Sequence, residues 1–378
     1  MNKKYLLIVV KRMNKLIENK NLMDIYFKLK DVIRGVKIKE ENIKRELFTI
    51  DDIKIFIKKS VFISNNIKKY IIKNYHKYYL FSYENNIIYY FIEDNNDNVS
   101  MNDVITFFKI IESIKKLFGR VNDGNSQKIY YYPVREKKLF PKVKGSVLGP
   151  DECNSGVSFL NALYKDDHKI EGGENGTITI FREEEHFKVL IHELIHACYM
   201  DKELILSDYS KRMSKDICIN NEILLNESYT ETVATILNLF FINIMKKRGV
   251  KELDKMFEKE TRYSFQVLNS ILNHYKIDDL RNVINLNGTK CKIKFMQNTN
   301  VFAYYILKPL LLLYNKDFGR FIKINTVNLR IFNSDGVKNY YEMIRKLLFR
   351  KKFYDFIREY KLDNKGGGIS LRMTLHQI

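Results

Sequence analysis

Two histidines with a glutamate between them form the most chemically specific pattern in the sequence. His192 and His196 are four residues apart, and Glu193 directly follows the first. On an α-helix this spacing directs both imidazoles from one face, so that their nitrogens can reach one ion at roughly 2.0–2.1 Å. Glu193 can then take a proton from a water that the ion makes acidic. The pattern predicts a Zn²⁺ site that performs hydrolysis.

The residues around this pattern predict the helix that must carry it. The glutamates Glu183–Glu185 precede it, at the end of a helix where the dipole favours anions. Apolar residues then recur at helical spacing, namely Phe187, Leu190, Ile191, Leu194 and Cys198. We therefore expect this stripe to pack in the core and the side that bears the histidines to face a cleft.

The third metal ligand must come from elsewhere in the chain. Tyr199 and Lys202 stand where the metzincin extension requires glycine and a third histidine. Asp201 lies nine residues after His192, about 180° around a continuous helix, and is predicted to point away. Glu203 faces correctly but lies about 10 Å further along the axis than His196.

A second helical stretch, Leu225–Ala234, offers two further carboxylates. Glu227 and Glu231 are at i and i+4 and share a face. One of them can complete a His₂Glu site that leaves the fourth position to water, and the other can fix the tautomer of a ligand imidazole. Glu222 is a weaker rival for the ligand position.

The two helices together resemble the gluzincin, thermolysin-like branch of the zincins. This resemblance spans about residues 149–243. It implies that Glu227 is the third zinc ligand, that Glu231 orients His192, and that Glu193 is the general base of peptide-bond hydrolysis. A protein or peptide substrate is the implied partner. The run Phe181–Lys188 into the motif also resembles uncharacterised proteins of large DNA viruses that carry the same histidine–glutamate pattern.

The resemblance also implies a substrate strand and an oxyanion donor. Asn154–Phe159 fits the edge strand that binds extended substrate in zincins, through Gly156, Val157 and Ser158. Thr177–Phe181 fits the strand that leads into the motif helix. A downstream histidine or tyrosine commonly stabilises the oxyanion in gluzincins, and the candidates are His274, Tyr304 and Tyr305, of which Tyr305 is preferred.

The order of helical and strand-like runs along the chain predicts an α+β fold that is mainly helical. We expect a zincin-like catalytic core, a small mixed sheet plus the motif helix, over residues 122–249. A mostly helical region of unknown role precedes it (residues 1–121), and a helical region that completes the cleft follows (residues 250–378). Outside the core, strands are predicted at Leu80–Tyr83 and Asn86–Glu93, and helices at Asn102–Phe118 and Val301–Tyr314, with a possible kink at Pro309.

Composition limits the other functions. The net charge is +20, but the lysines are spread among apolar residues without a nucleic-acid motif, as is typical of an AT-rich genome. The alternative to hydrolysis is a catalytically inactive zincin-like or basic module that binds acidic partners or nucleic acid. Apolar runs, including Tyr5–Val10, are too short for a signal peptide or a membrane span. We expect a cytoplasmic protein, in host cytoplasm or virion if it is viral.

The cysteines agree with a reducing compartment. The four cysteines, Cys153, Cys198, Cys218 and Cys291, show no C-x-x-C spacing. The scattered positions of the cysteines argue against a disulfide scaffold and against a cysteine zinc cluster. The oligomeric state and the identity of the substrate do not follow from the sequence.

Overall fold

The structure is a computed structural model that describes residues 15–50, 57, 63–96, 98–119, 127–159, 177–285, 291–361 and 370–378. Helices predominate in this part of the chain, and a six-stranded mixed sheet lies among them, which confirms the predicted mainly helical α+β class. The helices are α1 (Lys20–Gly35), α2 (Asn65–Asn74), α3 (Met101–Phe118), α4 (Pro150–Cys153), α5 (His186–Ala197), α6 (Lys202–Ile205), α7 (Tyr209–Asp216), α8 (Leu225–Met245), α9 (Val250–His274), α10 (Lys308–Leu313), α11 (Asn315–Asn325), α12 (Ser334–Leu348) and α13 (Lys351–Lys361). Short 3₁₀ turns lie at Leu16–Glu18, Glu40–Asn42 and Leu280–Val283, and a π-helical turn lies at Ala303–Leu307.

The sheet brings the first half of the chain beside the motif helix. Its strands are β1 (Lys44–Thr49), β2 (Lys77–Tyr83), β3 (Asn86–Ile92), β4 (Lys128–Tyr131), β5 (Gly156–Ser158) and β6 (Ile178–Ile180). Their order is β1-β2-β3-β4-β6-β5, with the β3–β4 and β4–β6 pairs parallel and the others antiparallel. A separate hairpin pairs β7 (Thr326–Val327) with β8 (Arg330–Ile331). Within the described residues β5 is therefore an edge strand, as predicted.

The motif helix α5 is buried along its whole length between the sheet and helix α8. All of its residues from Phe187 to Ala197 are buried, and α8 is buried from Ser228 to Asn243. Helices in this position need side chains that are apolar or paired on every face. The charged residues of α5 and α8 therefore must contact one another or other buried groups, and these contacts build the site described below.

The predicted regions share one core. The largest apolar cluster contains residues from Leu16 to Met373, and β1–β3 from the first region join the same sheet as β4–β6. The domain boundaries remain a prediction, and the first of them, at residue 121, lies outside the described residues, as does the run Tyr5–Val10. None of the described helices is both long enough and apolar enough to cross a membrane.

One disulfide differs from the expectation that the cysteines stay unpaired. Cys218 and Cys291 are bonded, with their Cα atoms 6.2 Å apart, whereas Cys153 and Cys198 are free and buried. The bond joins the loop before α8 to the loop that precedes the π-helical turn. Backbone hydrogen bonds run beside it, from Cys218 N to Val283 O and from Phe295 N to Cys218 O. Spacing gives no sign of this pair because its members are 73 residues apart.

Candidate metal centre

Three side chains from α5 and α8 direct their ligand atoms at one point. The Nε2 atoms of His192 and His196 are 3.1 Å apart, and Oε2 of Glu227 lies 3.3 Å from the first and 3.6 Å from the second. Ligand atoms on a tetrahedral zinc ion are about 3.3 Å apart, because each bond is about 2.0–2.1 Å long. The donor set, its spacing and its burial therefore fit Zn²⁺. Among the described residues, these three form a group that could hold a metal ion.

The other nitrogen of each imidazole already has a carboxylate partner. Nδ1 of His192 lies 3.0 Å from Oε2 of Glu231, and Nδ1 of His196 lies 2.7 Å from Oδ2 of Asp201. A carboxylate on Nδ1 favours the tautomer that leaves Nε2 free to bind a metal. The structure thus brings Glu231 to the position that the sequence resemblance implies.

Asp201 corrects the prediction that it points away from the site. Helix α5 ends at Ala197, and Tyr199 adopts a left-handed conformation, with φ of 52°. The chain therefore turns back instead of continuing around the helix axis, which returns Asp201 to His196. The same carboxylate oxygen accepts hydrogen bonds from Asn226 Nδ2 at 3.3 Å and from Thr230 Oγ1 at 3.2 Å, so α8 fixes its position.

Buried charges perturb the acidity of the whole group. Burial raises the pKa of Glu227, but the neighbouring His196 and His192 outweigh burial and bring it well below its usual range. Burial lowers the pKa of His196, yet Asp201 and Glu227 raise it well above its usual value. The carboxylates around the two imidazoles thus favour the binding of protons there. A divalent cation between the three ligands would replace those protons.

Glu193 lies beside these three side chains and against strand β5. Burial and the nearby Glu227 raise the pKa of Glu193, while His192, His196 and a hydrogen bond with Ser158 oppose the rise. A Cβ atom on Gly156 would lie 2.6 Å from Cγ1 of Val189 and 3.0 Å from Oε1 of Glu193. Glycine at this position is what lets the strand approach Glu193 so closely.

Within the part of the chain that the structure describes, β5 pairs only with β6, and this pairing leaves alternate main-chain groups of β5 without a partner strand. Phe159 N donates to Thr177 O and Phe181 N donates to Ser155 O, each at 2.9 Å. Val157 pairs with Thr179 in the same register, so Gly156 and Ser158 direct their amides and carbonyls away from β6. All three predicted substrate residues, Gly156, Val157 and Ser158, line the cleft that contains His192 and Glu193.

Tyrosine 304, not the preferred Tyr305, reaches the cluster. The Tyr304 hydroxyl donates to Oε2 of Glu227 at 2.9 Å, and Tyr304 lines the cleft. The Tyr305 hydroxyl instead donates to the carbonyl of Leu371 at 2.7 Å. Both residues lie in the π-helical turn. In this geometry Tyr304, and not Tyr305, is the tyrosine next to the cluster.

The remaining candidates lie elsewhere. Glu222 is exposed and belongs to no metal-binding group of the described chain. Nε2 of His274 lies 2.8 Å from the carbonyl of Ser146, outside the cleft. Neither residue takes part in the cluster.

Comparison with known proteins gives a relative but no activity. The chain is 26% identical over 210 residues to the uncharacterized protein R210 of Acanthamoeba polyphaga mimivirus, an alignment that covers 50% of this chain and 54% of that protein. The chain thus spans about half the length of this curated relative. No protein-family profile and no solved structure matches the chain. The viral relative agrees with the resemblance to viral proteins noted in the sequence.

Proposed function

We propose that this protein is a zinc-dependent peptide hydrolase of the gluzincin type. The observation that carries the proposal is the convergence of His192, His196 and Glu227 on one point with Glu193 beside it. A structural zinc site has four protein ligands, whereas a site with three protein ligands leaves the fourth position for substrate or water. A glutamate next to such an open position has the chemistry of a general base.

The proposed reaction divides its tasks between the ion and the protein. Bound Zn²⁺ supplies Lewis acidity, which polarises a carbonyl and lets water lose a proton near neutral pH. Glu193 accepts that proton and later delivers it to the leaving amine. Burial raises the pKa of Glu193, which makes its carboxylate a better acceptor for that proton. Glu231 and Asp201 keep the two imidazoles in their metal-binding orientation.

Strand β5 is the proposed binding element for the substrate backbone. Among the described residues no strand pairs with the outer side of β5, where the main-chain groups of Gly156 and Ser158 point, so an extended peptide can add there as a further strand. Such a peptide would pass directly over Glu193, since β5 contacts that residue through Gly156 and Ser158. The geometry supports an extended peptide as the substrate class.

Tyr304 is the proposed donor to the developing oxyanion. Burial, with the Glu227 charge next to it, raises the pKa of Tyr304 well above its usual value, so the hydroxyl keeps its proton. Asn300 Nδ2 lies 3.4 Å from that oxygen and helps to orient it. A fixed donor at this position is typical of sites that stabilise a tetrahedral oxyanion.

Zinc content tests the proposed ligand set. Purified wild-type protein is expected to hold one zinc per chain, and Glu227→Ala is expected to lower zinc occupancy much more than Glu222→Ala. Glu222 is the matched control because it is an exposed glutamate close by in the chain. The reverse order would reassign the ligand. A wild type without zinc that instead binds polyanions with steep salt dependence would indicate the basic binding module.

A further inference from the structure

Two buried lysines, Lys188 and Lys308, lie next to the carboxylate of Glu231. Its Oε2 accepts from Nζ of Lys188 as well as contacting His192, and its Oε1 lies 3.7 Å from Nζ of Lys308. The side chains of Glu231, Lys188 and Lys308 are 0%, 3% and 2% exposed. Buried ions of this kind are stable only when every charge has close partners. The orientation of Glu231 at His192 therefore depends on where the two lysines lie.

Both lysines contact a residue that is distant in the chain. Nζ of Lys308 donates to the carbonyl of Met373, and Nζ of Lys188 lies 3.6 Å from Sδ of the same residue. Met373 also lines the cleft, beside Lys188 and Val189. One residue of the 370–378 segment thus contacts both of the cations that face Glu231.

The 370–378 segment contains no helix or strand, yet three of its residues, Leu371, Met373 and Thr374, are buried in the core. Leu371 and Thr374 are 0% exposed, and Met373 is 6% exposed. An irregular segment in the core must satisfy its main-chain groups with side chains. Here Leu371 O accepts from the Tyr305 hydroxyl, and Leu371 N donates to Lys138 O at 2.9 Å.

Buried carboxylates bind the rest of this segment. Thr374 N donates to Oε1 of Glu185, and Leu375 N donates to Oε2 of Glu260 at 2.9 Å. Glu185 in turn pairs with Lys138 at 2.9 Å. Three buried lysines, Lys138, Lys188 and Lys308, thus accompany three buried glutamates, Glu185, Glu231 and Glu260. The segment forms hydrogen bonds with both lysines and glutamates of this group. The buried charges and the segment therefore stabilise each other.

We propose that residues 370–378 are a positioning segment of the metal centre. The Met373 carbonyl fixes Lys308, and Lys308 together with Lys188 fixes Glu231 against Nδ1 of His192. The inference rests on the proposed function, because its consequence is the affinity of His192 for zinc. Lys308 is a positioning residue that acts through Glu231 and has no contact with the ligand atoms.

The test is zinc affinity, measured by competition with a chromophoric chelator. Lys308→Met keeps the length of the side chain but removes the charge, and it is expected to weaken zinc binding about 10–100-fold, as loss of an outer-shell partner does. Asn238→Ala is the matched control. Asn238 lies on α8 and donates to His376 O of the same segment, and among the described residues it forms no hydrogen bond with Lys188 or Lys308. Its zinc affinity should stay within about twofold of wild type.

A double variant separates positioning from a general loss of stability. If Lys308 acts through Glu231, then Lys308→Met added to Glu231→Gln should cost little further affinity, whereas independent effects would multiply. The double variant removes the charges of Lys308 and Glu231 together and leaves a glutamine amide that can accept from Lys188, so it remains measurable if Lys308→Met alone does not fold. Multiplying effects contradict the inference.

The two proposals fail in different ways. A wild type that binds no zinc contradicts the proposed function, and with it this inference. A wild type that binds zinc, together with a Lys308→Met variant that binds it equally well, contradicts the positioning role alone.

Discussion

Asp201 lies 2.7 Å from Nδ1 of His196, on the side of the imidazole opposite to Glu227. Glu231 has the equivalent relationship to His192, at 3.0 Å. The two proposed ligands therefore have separate carboxylate partners, one from the loop after α5 and one from α8. Because each partner occupies Nδ1, both Nε2 atoms are left for an ion.

Removal of the Asp201 carboxylate is expected to weaken zinc binding. Asp201→Ala leaves His196 free to rotate and to change tautomer, so zinc affinity should fall about 10–100-fold. Chelator competition measures the change. Asp208→Ala is the control, since Asp208 is exposed, caps no helix amide with its side chain and pairs with Lys211 at the surface. Equal zinc affinities for the two variants would remove Asp201 from the site.

The Tyr304→Phe and Tyr305→Phe variants should differ in kcat. Tyr304→Phe removes the hydroxyl that lies 2.9 Å from Glu227 and is expected to lower kcat about 10²-fold, the usual effect of losing an oxyanion donor. Tyr305→Phe removes a bond to the Leu371 carbonyl instead. Its kcat per bound zinc should change by less than about threefold, with the loss seen in thermal stability. A larger kcat effect in Tyr305→Phe would return the donor role to that residue.

A single methyl group on strand β5 should disturb both the fold and the reaction. In Gly156→Ala the added carbon meets Val189 and Glu193, so we expect the free energy of unfolding to fall by about 1–3 kcal/mol and kcat/KM to decrease. Denaturant titration and peptide cleavage measure the two effects. Gly35→Ala is the control, because a Cβ there has no neighbour within 4 Å. If the two variants behave alike, β5 does not approach the base as described.

The local parts of the site could be predicted from the sequence. Helical spacing alone joins His192, Glu193 and His196, and it joins Glu227 to Glu231, because residues four apart share a helix face. Local sequence also predicts β3 close to its observed bounds and the second half of β2, because runs of β-prone residues favour strands. The relation between the two helices came from the resemblance, since spacing within one helix cannot place another.

The predictions for Asp201 and for the two tyrosines differ from the structure at points where the chain departs from a continuous α-helix. Asp201 was placed by continuing α5, but the left-handed Tyr199 ends that helix. The choice between Tyr304 and Tyr305 depends on a π-helical turn, which shifts the phase of the side chains by part of a turn. Tyr199 carries no glycine or other breaker, whereas Pro309, two residues after the π-helical turn, is a local signal of a change in the helix.

The positioning segment was missed because its contacts are long-range and involve the main chain. Residues 370–378 show no helical or strand period, and the bond from Lys308 to Met373 joins residues 65 apart. One signal was present in the apolar run Tyr305–Tyr314, where Lys308 is the only charge. A lysine on a buried helix requires a carboxylate and further acceptors nearby, which marks it as part of a buried pair.

Cleavage of a peptide library by wild type and by Glu193→Gln tests the central claim most directly. The substitution keeps the shape of the side chain but removes its ability to accept a proton, so zinc content should be unchanged while kcat falls by at least about 10²–10⁴-fold. Glu203→Gln, a partly exposed glutamate after the same helix, should cleave like wild type. A Glu193→Gln variant with full zinc that cleaves peptides as fast as wild type would contradict the account.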